Sequence, residues 1–315
     1  MLKKKALRKI LVTTFTVFVL MVVYLIPSIK TDKSIKPDYN IQYVNSLETS
    51  AVYLLSNYNY LMKTHLLAPG DKVIDKAKNI LNRLTVLENS NLLSGSRAII
   101  PEQTKVLNLV YKDKIIEVNF SKEFLSVDAY LEERMLEAII YSLTAIDNVK
   151  GVKIMVEGVP LVELPHSHKK LESILTRQFG INKVYEIEST EDINKVIVYF
   201  LETGSNSNYY VPVTRYVNDG RDKIQIVIDS LSSNYIYQPS LTSFLNADAK
   251  LLKFEVAEGL MILDFNENIF DKNSQILEEV LYTISYSVFD NYEVNEVMFR
   301  VGGKEVFKKL KKDIE

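Results

Sequence analysis

One 16-residue pattern occurs twice in this chain. Residues 105–120 read KVLNLVYKDKIIEVNF, and residues 250–265, which begin 145 positions later, read KLLKFEVAEGLMILDF. Self-similarity at a fixed spacing indicates a duplicated structural unit. The chain is therefore expected to build the same unit twice, and this expectation constrains its architecture more than any other feature of the sequence.

Each copy of the pattern predicts a β-hairpin with one buried face. Alternating apolar and polar residues flank a polar turn, at residues 112–114 in the first copy and at residues 257–259 in the second. A period of two places every second side chain on the same face of a strand. The side chains expected on the buried face are Val106, Leu107, Leu109, Ile116, Val118 and Phe120 in the first copy, and Leu251, Leu252, Phe254, Met261, Leu263 and Phe265 in the second.

The match between the copies extends beyond the hairpins. Downstream, an apolar helix at residues 131–146 corresponds to one at residues 276–289, and each leads to a strand followed by glycine. Upstream, each copy starts with two strands and a helix, at residues 51–55, 60–66 and 71–85 and at residues 196–201, 209–217 and 222–231. We therefore predict an α+β fold of two tandem ββαββαβ repeats, with sheets and packed helices, preceded by an N-terminal transmembrane helix.

The N-terminal segment has the character of a membrane anchor. Residues 10–26 form a run of 17 residues without charge, preceded by five basic residues. Such a run is at the short end of what crosses the hydrocarbon core as a helix, and basic flanks stay in the cytoplasm. The sequence thus predicts a single-pass protein of the cell membrane with most of the chain outside the cytoplasm. A cleaved signal peptide is the alternative, although no small-x-small site follows the run.

The composition argues against several classes of function. Without the five basic residues near the N-terminus, the chain has 33 basic and 40 acidic residues, a net charge of −7. This balance lacks the surplus of Lys and Arg that phosphate backbones require, so nucleic-acid binding is not expected. The chain contains no cysteine, which excludes disulfides, thiolate metal sites, a thiol nucleophile and a lipid-modified cysteine.

The two copies carry several short motifs, which are VPVTRYV (211–217) and LDF (263–265) in the second copy, and PEQTKVL (101–107), EVNFSKEFL (117–125), AIIYSLT (138–144) and VKIMVEG (152–158) in the first. Together these motifs resemble the GerM domain of sporulation and spore germination proteins. The resemblance covers residues 47–304, and Asn119 stands where the family usually has Asp. It implies a non-enzymatic extracytoplasmic protein of endospore-forming bacteria, whose partners are other proteins between the mother cell and forespore membranes.

The linker between the copies is expected to be ordered. Leu171, Ile174, Leu175 and Phe179 fall at helical spacing and need a surface to pack against. This spacing predicts a short amphipathic turn or helix at residues 169–176, before an extended segment at residues 181–187. The predicted parts of the chain are a basic stub with the anchor (1–29), a tether (30–46), a first GerM-like domain (47–159), the ordered linker (160–192), a second GerM-like domain (193–307) and a charged tail (308–315).

No catalytic constellation and no cofactor site are expected. His166 and His168 come nearest to a metal site, because an i, i+2 spacing on a strand places two imidazoles on the same face. No third ligand stands at a suitable spacing, so exposed loop histidines are the preferred interpretation. The chain also lacks the motifs of nucleophile elbows, phosphate-binding loops and zinc-hydrolase helices.

Acidic pairs open the two apolar helices, Glu132 with Glu133 and Glu278 with Glu279. Adjacent residues on a helix diverge by about 100°, so neither pair supplies the converging carboxylates of a glycosidase. Acids in a first turn favour the helix dipole, and we interpret these four as solvated residues at helix starts. Asp264 is interpreted as a cap of the turn at residues 266–268.

A candidate partner surface lies on the first hairpin of the second copy. Tyr210, Thr214, Arg215 and Tyr216 are expected there on an exposed strand. Six of the 19 tyrosines cluster near predicted strand edges and turns, where each offers apolar area and one polar tip to a protein or a glycan. They are Tyr58, Tyr60, Tyr209, Tyr210, Tyr235 and Tyr237. Half-buried tyrosines that cover sheet edges are the alternative interpretation.

Three functions from different classes are compatible with these features. The favoured one is an assembly or scaffold module that docks to envelope or sporulation proteins, with self-association among the options. The second is an envelope protein that binds peptidoglycan or cortex glycan. The third, a cell-wall hydrolase, is the least favoured because no acid pair converges.

Overall fold

The N-terminal part of the chain forms a unit of its own. The computed structural model describes residues 4–25, 49–86, 95–203, 208–233 and 240–314. Unit Met1–Asn45 contains helix α1 (Lys4–Leu25), which covers most of the predicted anchor, whereas Ile26 and the predicted tether lie outside the described residues. In the described part of the chain, no helix has both the length and the apolar character that a bilayer crossing requires.

The second unit, Ser46–Glu315, holds both repeats. The first repeat has the predicted order of elements and two additional short strands. Its elements are β1 (Thr49–Ser56), β2 (Leu61–Leu67), α2 (Val73–Leu84), β3 (Ser96–Arg97), β4 (Val106–Lys112), β5 (Ile115–Phe120), α3 (Glu132–Leu143), β6 (Gly151–Val156) and β7 (Val159–Pro160).

The linker contributes one strand, and the second repeat follows with the same order of main elements as the first. These elements are β8 (Val184–Glu186) in the linker, then β9 (Ile193–Thr203), β10 (Asn208–Asn218), α4 (Lys223–Ser232), β11 (Leu241–Thr242), β12 (Leu251–Ala257), β13 (Leu260–Phe265), α5 (Glu278–Asn291), β14 (Glu296–Val301) and β15 (Lys304–Leu310). The ββαββαβ order is thus present twice.

The first hairpins of the two repeats join in one seven-stranded sheet. Its order is β11-β9-β10-β2-β1-β3, and β8 pairs parallel to β10. The central strands β10 and β2 are antiparallel and meet at Tyr210 and Lys63. The order of equivalent strands on one side of this junction is therefore the reverse of the order on the other side. An approximate two-fold axis between β10 and β2 relates the two repeats.

Each repeat adds a four-stranded sheet, β4-β5-β6-β7 in the first and β12-β13-β14-β15 in the second. The parallel pairs β5–β6 and β13–β14 require a crossover, which α3 and α5 provide. Helix α2 buries Ala77, Ile80, Leu81 and Leu84, the spacing of one helical face. The buried apolar side chains form two separate clusters, one centred on each repeat.

The predicted buried face of the β4–β5 and β12–β13 hairpins is wrong at one position in each copy. Leu107 and Leu252 are 48% and 62% exposed. A register shift skips each of them, between Val106 and Asn108 and between Leu251 and Lys253. The extra residue of a β-bulge has no partner in the ladder, so simple alternation fails there.

The linker is ordered, but residues 169–176 form neither the amphipathic turn nor the helix that the sequence predicts. The backbone of Leu175 instead exchanges two hydrogen bonds of 2.8 Å with Val152 of β6. A single 3-10 turn follows at Arg177–Phe179. A Cβ on Gly151 would lie 2.7 Å from Ile174, so the close approach of linker and β6 requires glycine at this position. Sheet pairing thus replaces the helix that the apolar spacing suggested.

Candidate functional site

The four residues of the predicted partner surface lie on β10, which is an interior strand. It pairs with β9 on one side and with β2 and β8 on the other. Because side chains alternate along a strand, Tyr210, Thr214 and Tyr216 share one face and Arg215 points to the opposite face. The structure therefore does not bring the four side chains together in one surface.

Thr214 is fully buried, so the expectation that it is exposed is wrong. Its hydroxyl accepts a hydrogen bond of 2.8 Å from the backbone N–H of Ile181, and its own N–H donates to the Ile181 carbonyl, also at 2.8 Å. Thr214 thus fixes the linker to β10.

The neighbouring linker residue Asn182 closes the gap between β10 and β2. Its side-chain amide donates to the carbonyls of Leu61 and Pro212, both at 2.8 Å, and its Oδ1 accepts from the Leu61 N–H at 2.9 Å. Proline is rare in interior strands because it has no N–H to donate. At Pro212 a side-chain amide, and not a regular strand, faces β10 on this side, so no ladder partner requires an N–H from Pro212.

Arg215 lines a groove on the second repeat. Its guanidinium pairs with Glu186 of β8 and donates to the Ser230 hydroxyl of α4. At the rim, Arg221 pairs with Asp219 at 2.8 Å and with Asp229 at 2.6 Å, and its hydrogen bonds lower the pKa of Asp219. The groove has a volume of about 360 Å³, and its apolar wall consists of Val184, Phe200, Val213, Val217, Ile226 and Leu241.

Tyr216 stacks on Tyr185 of β8. The ring centroids are 4.9 Å apart and the rings are nearly parallel, at 9°. Tyr185 is 58% exposed. The pair therefore presents an aromatic surface on the face of the sheet opposite the groove.

Tyr210 belongs to a tyrosine cluster between β10 and α5. Its ring centroid lies 5.7 Å from that of Tyr282 and 5.2 Å from that of Tyr286. Burial raises the pKa of Tyr210, and nearby carboxylates add to the shift. This environment matches the alternative interpretation of half-buried tyrosines.

A polar network, absent from the sequence predictions, joins the two repeats. Arg177 of the linker pairs with Asp290 of α5 at 2.6 Å, and the Tyr199 hydroxyl donates to the same carboxylate at 2.7 Å. The Tyr53 and Tyr199 hydroxyls, one from each repeat, lie 3.4 Å apart. Burial by itself would lower the pKa of Arg177, but the charge of Asp290 together with the nearby Tyr53, Tyr199 and Tyr141 outweighs burial, and the pKa is raised.

The positions of these tyrosines in the repeats could have revealed this network. The backbone N–H of Tyr53 donates to the Ser142 hydroxyl, and that of Tyr199 donates to the Ser287 hydroxyl, both at 2.9 Å. Aligning the two copies places Tyr53 opposite Tyr199 and Ser142 opposite Ser287. The linker residue Arg177 has no equivalent in either copy, so no repeat signal could identify it.

Glu132 is buried, and the interpretation of a solvated residue at a helix start is wrong for it. Its carboxylate accepts hydrogen bonds from the backbone N–H groups of His166 and Ser167, at 3.0 and 2.6 Å. Glu133 pairs with Lys183 at 3.1 Å and with Lys169. These acids therefore hold the linker against α3.

The two histidines do not converge on a common ligand. His168 Nδ1 lies 2.8 Å from Glu163 Oε1, and the side chain is 75% exposed. His166 uses its backbone N–H, as described for Glu132. Across the described residues, no group of three or more His, Asp and Glu side chains has the arrangement of a metal site.

Asp264 caps a different turn from the predicted one. Its carboxylate accepts from the Gly303 N–H at 3.1 Å, in the turn between β14 and β15. Asn119 does the same for Gly158 at 2.9 Å in the first repeat. The side chain at this position thus secures the neighbouring hairpin, and an amide serves as well as a carboxylate.

The contacts described above bind segments of the chain to one another. Thr214, Asn182, Glu132 and Arg215 hold the linker, and Arg177 with Asp290 joins the repeats. The groove and the stacked tyrosines are open surfaces, and the residues described for them do not include a nucleophile paired with a base.

Comparisons with known proteins agree with the sequence motifs. The model of the Germane family, described as sporulation and spore germination, matches residues 51–162 and 197–307. The spore germination protein GerM of Bacillus subtilis (strain 168) is 29% identical over 264 residues, which make up 80% of this chain and 71% of that protein. The solved structure of the tandem GerMN domains of the sporulation protein GerM from Bacillus subtilis matches with a TM-score of 0.75 and 28% identity, over 82% of this chain and 92% of that chain.

Proposed function

Because the chain belongs to the Germane family of sporulation and spore germination, we propose that it is a non-enzymatic assembly or scaffold protein that acts through protein–protein contacts of its two domains. A sporulation-related role follows from its homology to GerM. The relatives are named as sporulation and germination proteins and not as enzymes, which supports a binding role. Its partners would be envelope or sporulation proteins.

The observation that carries the proposal is that the two repeats and the linker form one sheet. Strands β10 and β2 meet directly, and Asn182 bonds both. A sheet shared by two domains holds their outer surfaces at a fixed spacing, which suits a protein that positions partners. Arg215 and Glu132, the most conspicuous charged side chains of the candidate site, are engaged in bonds within the chain.

The proposal places the protein at the cell membrane, with its repeats outside the cytoplasm. It rests on the uncharged run at residues 10–26 and on the basic residues before it. Ile26 and several side chains of α1 lie outside the described residues. N-terminal sequencing of the membrane fraction is the test, and a soluble species that starts near residue 29 would remove the anchor from the proposal.

A sporulating strain tests the assembly role. A strain that lacks the chain should sporulate or germinate poorly, and a chain with Arg221→Glu at the groove rim should fail to restore it if the groove holds a partner. Arg221 is half exposed, so the variant should remain folded. His166→Ala with His168→Ala should restore the strain fully, and an essential histidine pair would contradict a non-enzymatic role.

A glycan-binding function is the second candidate, favoured by the stacked Tyr185 and Tyr216. An exposed aromatic ring backed by a second ring can stack on the apolar face of a sugar. The protein should then pellet with purified sacculi, and Tyr185→Ala should abolish pelleting. Equal pelleting of the wild-type protein and the Tyr185→Ala variant would contradict the glycan-binding function.

A further inference from the structure

Strand β12 is an open edge of the second repeat. It pairs with β13, and no strand in the described part of the chain pairs with its other side. Leu252 and Val256, near its two ends, are 62% and 52% exposed. An edge of this length with exposed apolar side chains is a ready template for another strand.

The other sheet edges are protected. Strands β3 and β11 have two residues each, and β7 has two residues, one of which is Pro160. Strand β15 carries Lys304, Lys308 and Lys309. In the first repeat, α2 packs against β4. Short strands, proline and a covering helix prevent strand addition, and β12 has none of these three. It does carry Lys253 and the bulge at Leu252, but the residues from Lys253 to Ala257 remain in regular pairing with β13.

The charges of β12 are complementary to those of a second copy of the same strand. Lys253 and Glu255 are exposed, lie on the same face and form an ion pair with each other within one chain. Their cross-strand neighbours on β13 are Asp264 and Ile262. If two copies pair antiparallel with Phe254 opposite itself, Lys253 of each copy faces Glu255 of the other. If the two-fold axis moved by one residue along the strand, Lys253 of one copy would face Lys253 of the other, or Glu255 would face Glu255.

We propose that two copies of this chain associate through β12, antiparallel about a two-fold axis at Phe254. Opposite charges directly across an antiparallel pair are favourable and like charges are unfavourable, so the charge pattern selects this register. The two four-stranded sheets become one continuous sheet with an isologous interface. The inference rests on the proposed assembly role and specifies one of its contacts.

The equivalent strand of the first repeat lacks this complementarity. In β4 the only charged residue is Lys112. No antiparallel register of two β4 strands can pair it with an acid. The proposal therefore assigns association to one repeat, and the other repeat supplies a matched control.

Cysteine cross-linking of the full-length chain tests the pairing. The chain has no cysteine, so Phe254→Cys introduces a single thiol at the predicted axis. Mild oxidation should give a disulfide-linked species of twice the chain mass of 36.2 kDa. Leu109→Cys, at the equivalent position of β4, should stay monomeric. No dimer from Phe254→Cys, or the same yield from both variants, would overturn the proposal.

Charge exchange provides a second test that leaves Phe254 in place. Light scattering should show that Lys253→Glu lowers the dimer fraction by about tenfold, because two opposite-charge pairs become like-charge pairs. Adding Glu255→Lys should restore the dimer, since the exchanged charges still match across the axis. A double variant that stays monomeric would overturn the register.

These measurements are independent of the proposed function. A monomeric chain would remove the β12 contact, whereas a sporulation defect in the strain without the chain would persist. Conversely, normal sporulation of that strain would refute the assembly role and leave the dimer in place.

Discussion

Glu132 shows how one side chain can organise a distant part of the chain. Both of its oxygens accept backbone hydrogen bonds from the loop at His166 and Ser167. Burial alone would raise the pKa of this carboxyl, but the hydrogen bonds from Ser167 and His166 outweigh burial and lower the pKa below its ordinary value. The ionised form is therefore the one that the folded protein stabilises.

Replacing Glu132 by glutamine should make the protein less stable and less sensitive to acid. A carboxyl with a lowered pKa contributes stability above its ordinary pKa and loses it as the pH falls through the lowered value. Urea unfolding at neutral pH should show a loss of about 1–3 kcal/mol. On acidification the wild type should lose more stability than Glu132→Gln. Glu278→Gln, at the exposed start of α5, is the control and should behave like the wild type at both pH values.

At the scale of elements, β8 depends on side chains more than on its own ladder. It has three residues and pairs with β10 alone. Arg215 ties it to β10 and α4 through Glu186 and Ser230. A strand this short has few backbone bonds, so its position should follow the state of this ion pair.

Arg215→Ala should therefore release β8. We expect faster amide hydrogen exchange at Val184–Glu186 and a loss of about 1–3 kcal/mol in the free energy of unfolding, because a partly buried charge-assisted contact is removed. Arg221→Ala breaks exposed pairs in the same groove and should cost less than about 0.5 kcal/mol. If amide hydrogen exchange in β8 were unchanged in Arg215→Ala, the backbone hydrogen bonds between β8 and β10 would be sufficient to hold β8 in place.

The sequence predicts the secondary-structure elements better than it predicts which of them lie next to each other. The repeat predicts both hairpins, the helices and the closing strands, since these follow from local alternation and from comparing two copies. It does not predict that β8 lies beside β10, because the pairing depends on the side chains of Thr214 and Asn182 and on residues far along the chain. The bulged Leu107 and Leu252 escape prediction for another reason, since a single extra residue leaves the alternation on either side intact.

At the scale of the whole molecule, Arg177 adds a polar contact between two repeats whose buried apolar side chains form separate clusters. Its pair with Asp290 connects the linker to α5, and its backbone carbonyl accepts from the Tyr141 hydroxyl of α3 at 3.2 Å. Unfolding of one repeat therefore removes contacts from the other.

Arg177→Ala should weaken this coupling. Calorimetry of the wild type should show one transition for the two repeats, and the variant should show two, with a loss of about 1–3 kcal/mol for the less stable repeat. Arg83→Ala, on the exposed face of α2, should keep the wild-type profile. A single unshifted transition in Arg177→Ala would mean that the shared sheet alone couples the repeats.

The contact of Tyr53 with Tyr199 across the approximate two-fold axis has a consequence for how the two halves can change. If the two halves were separate identical chains, they would associate only above a minimum concentration, and every substitution would be present in both halves. A peptide link removes the concentration dependence and lets each half vary alone. The ion pair with Arg177 shows the result, because Asp290 forms it in the second half and the equivalent position of the first half is Ala145.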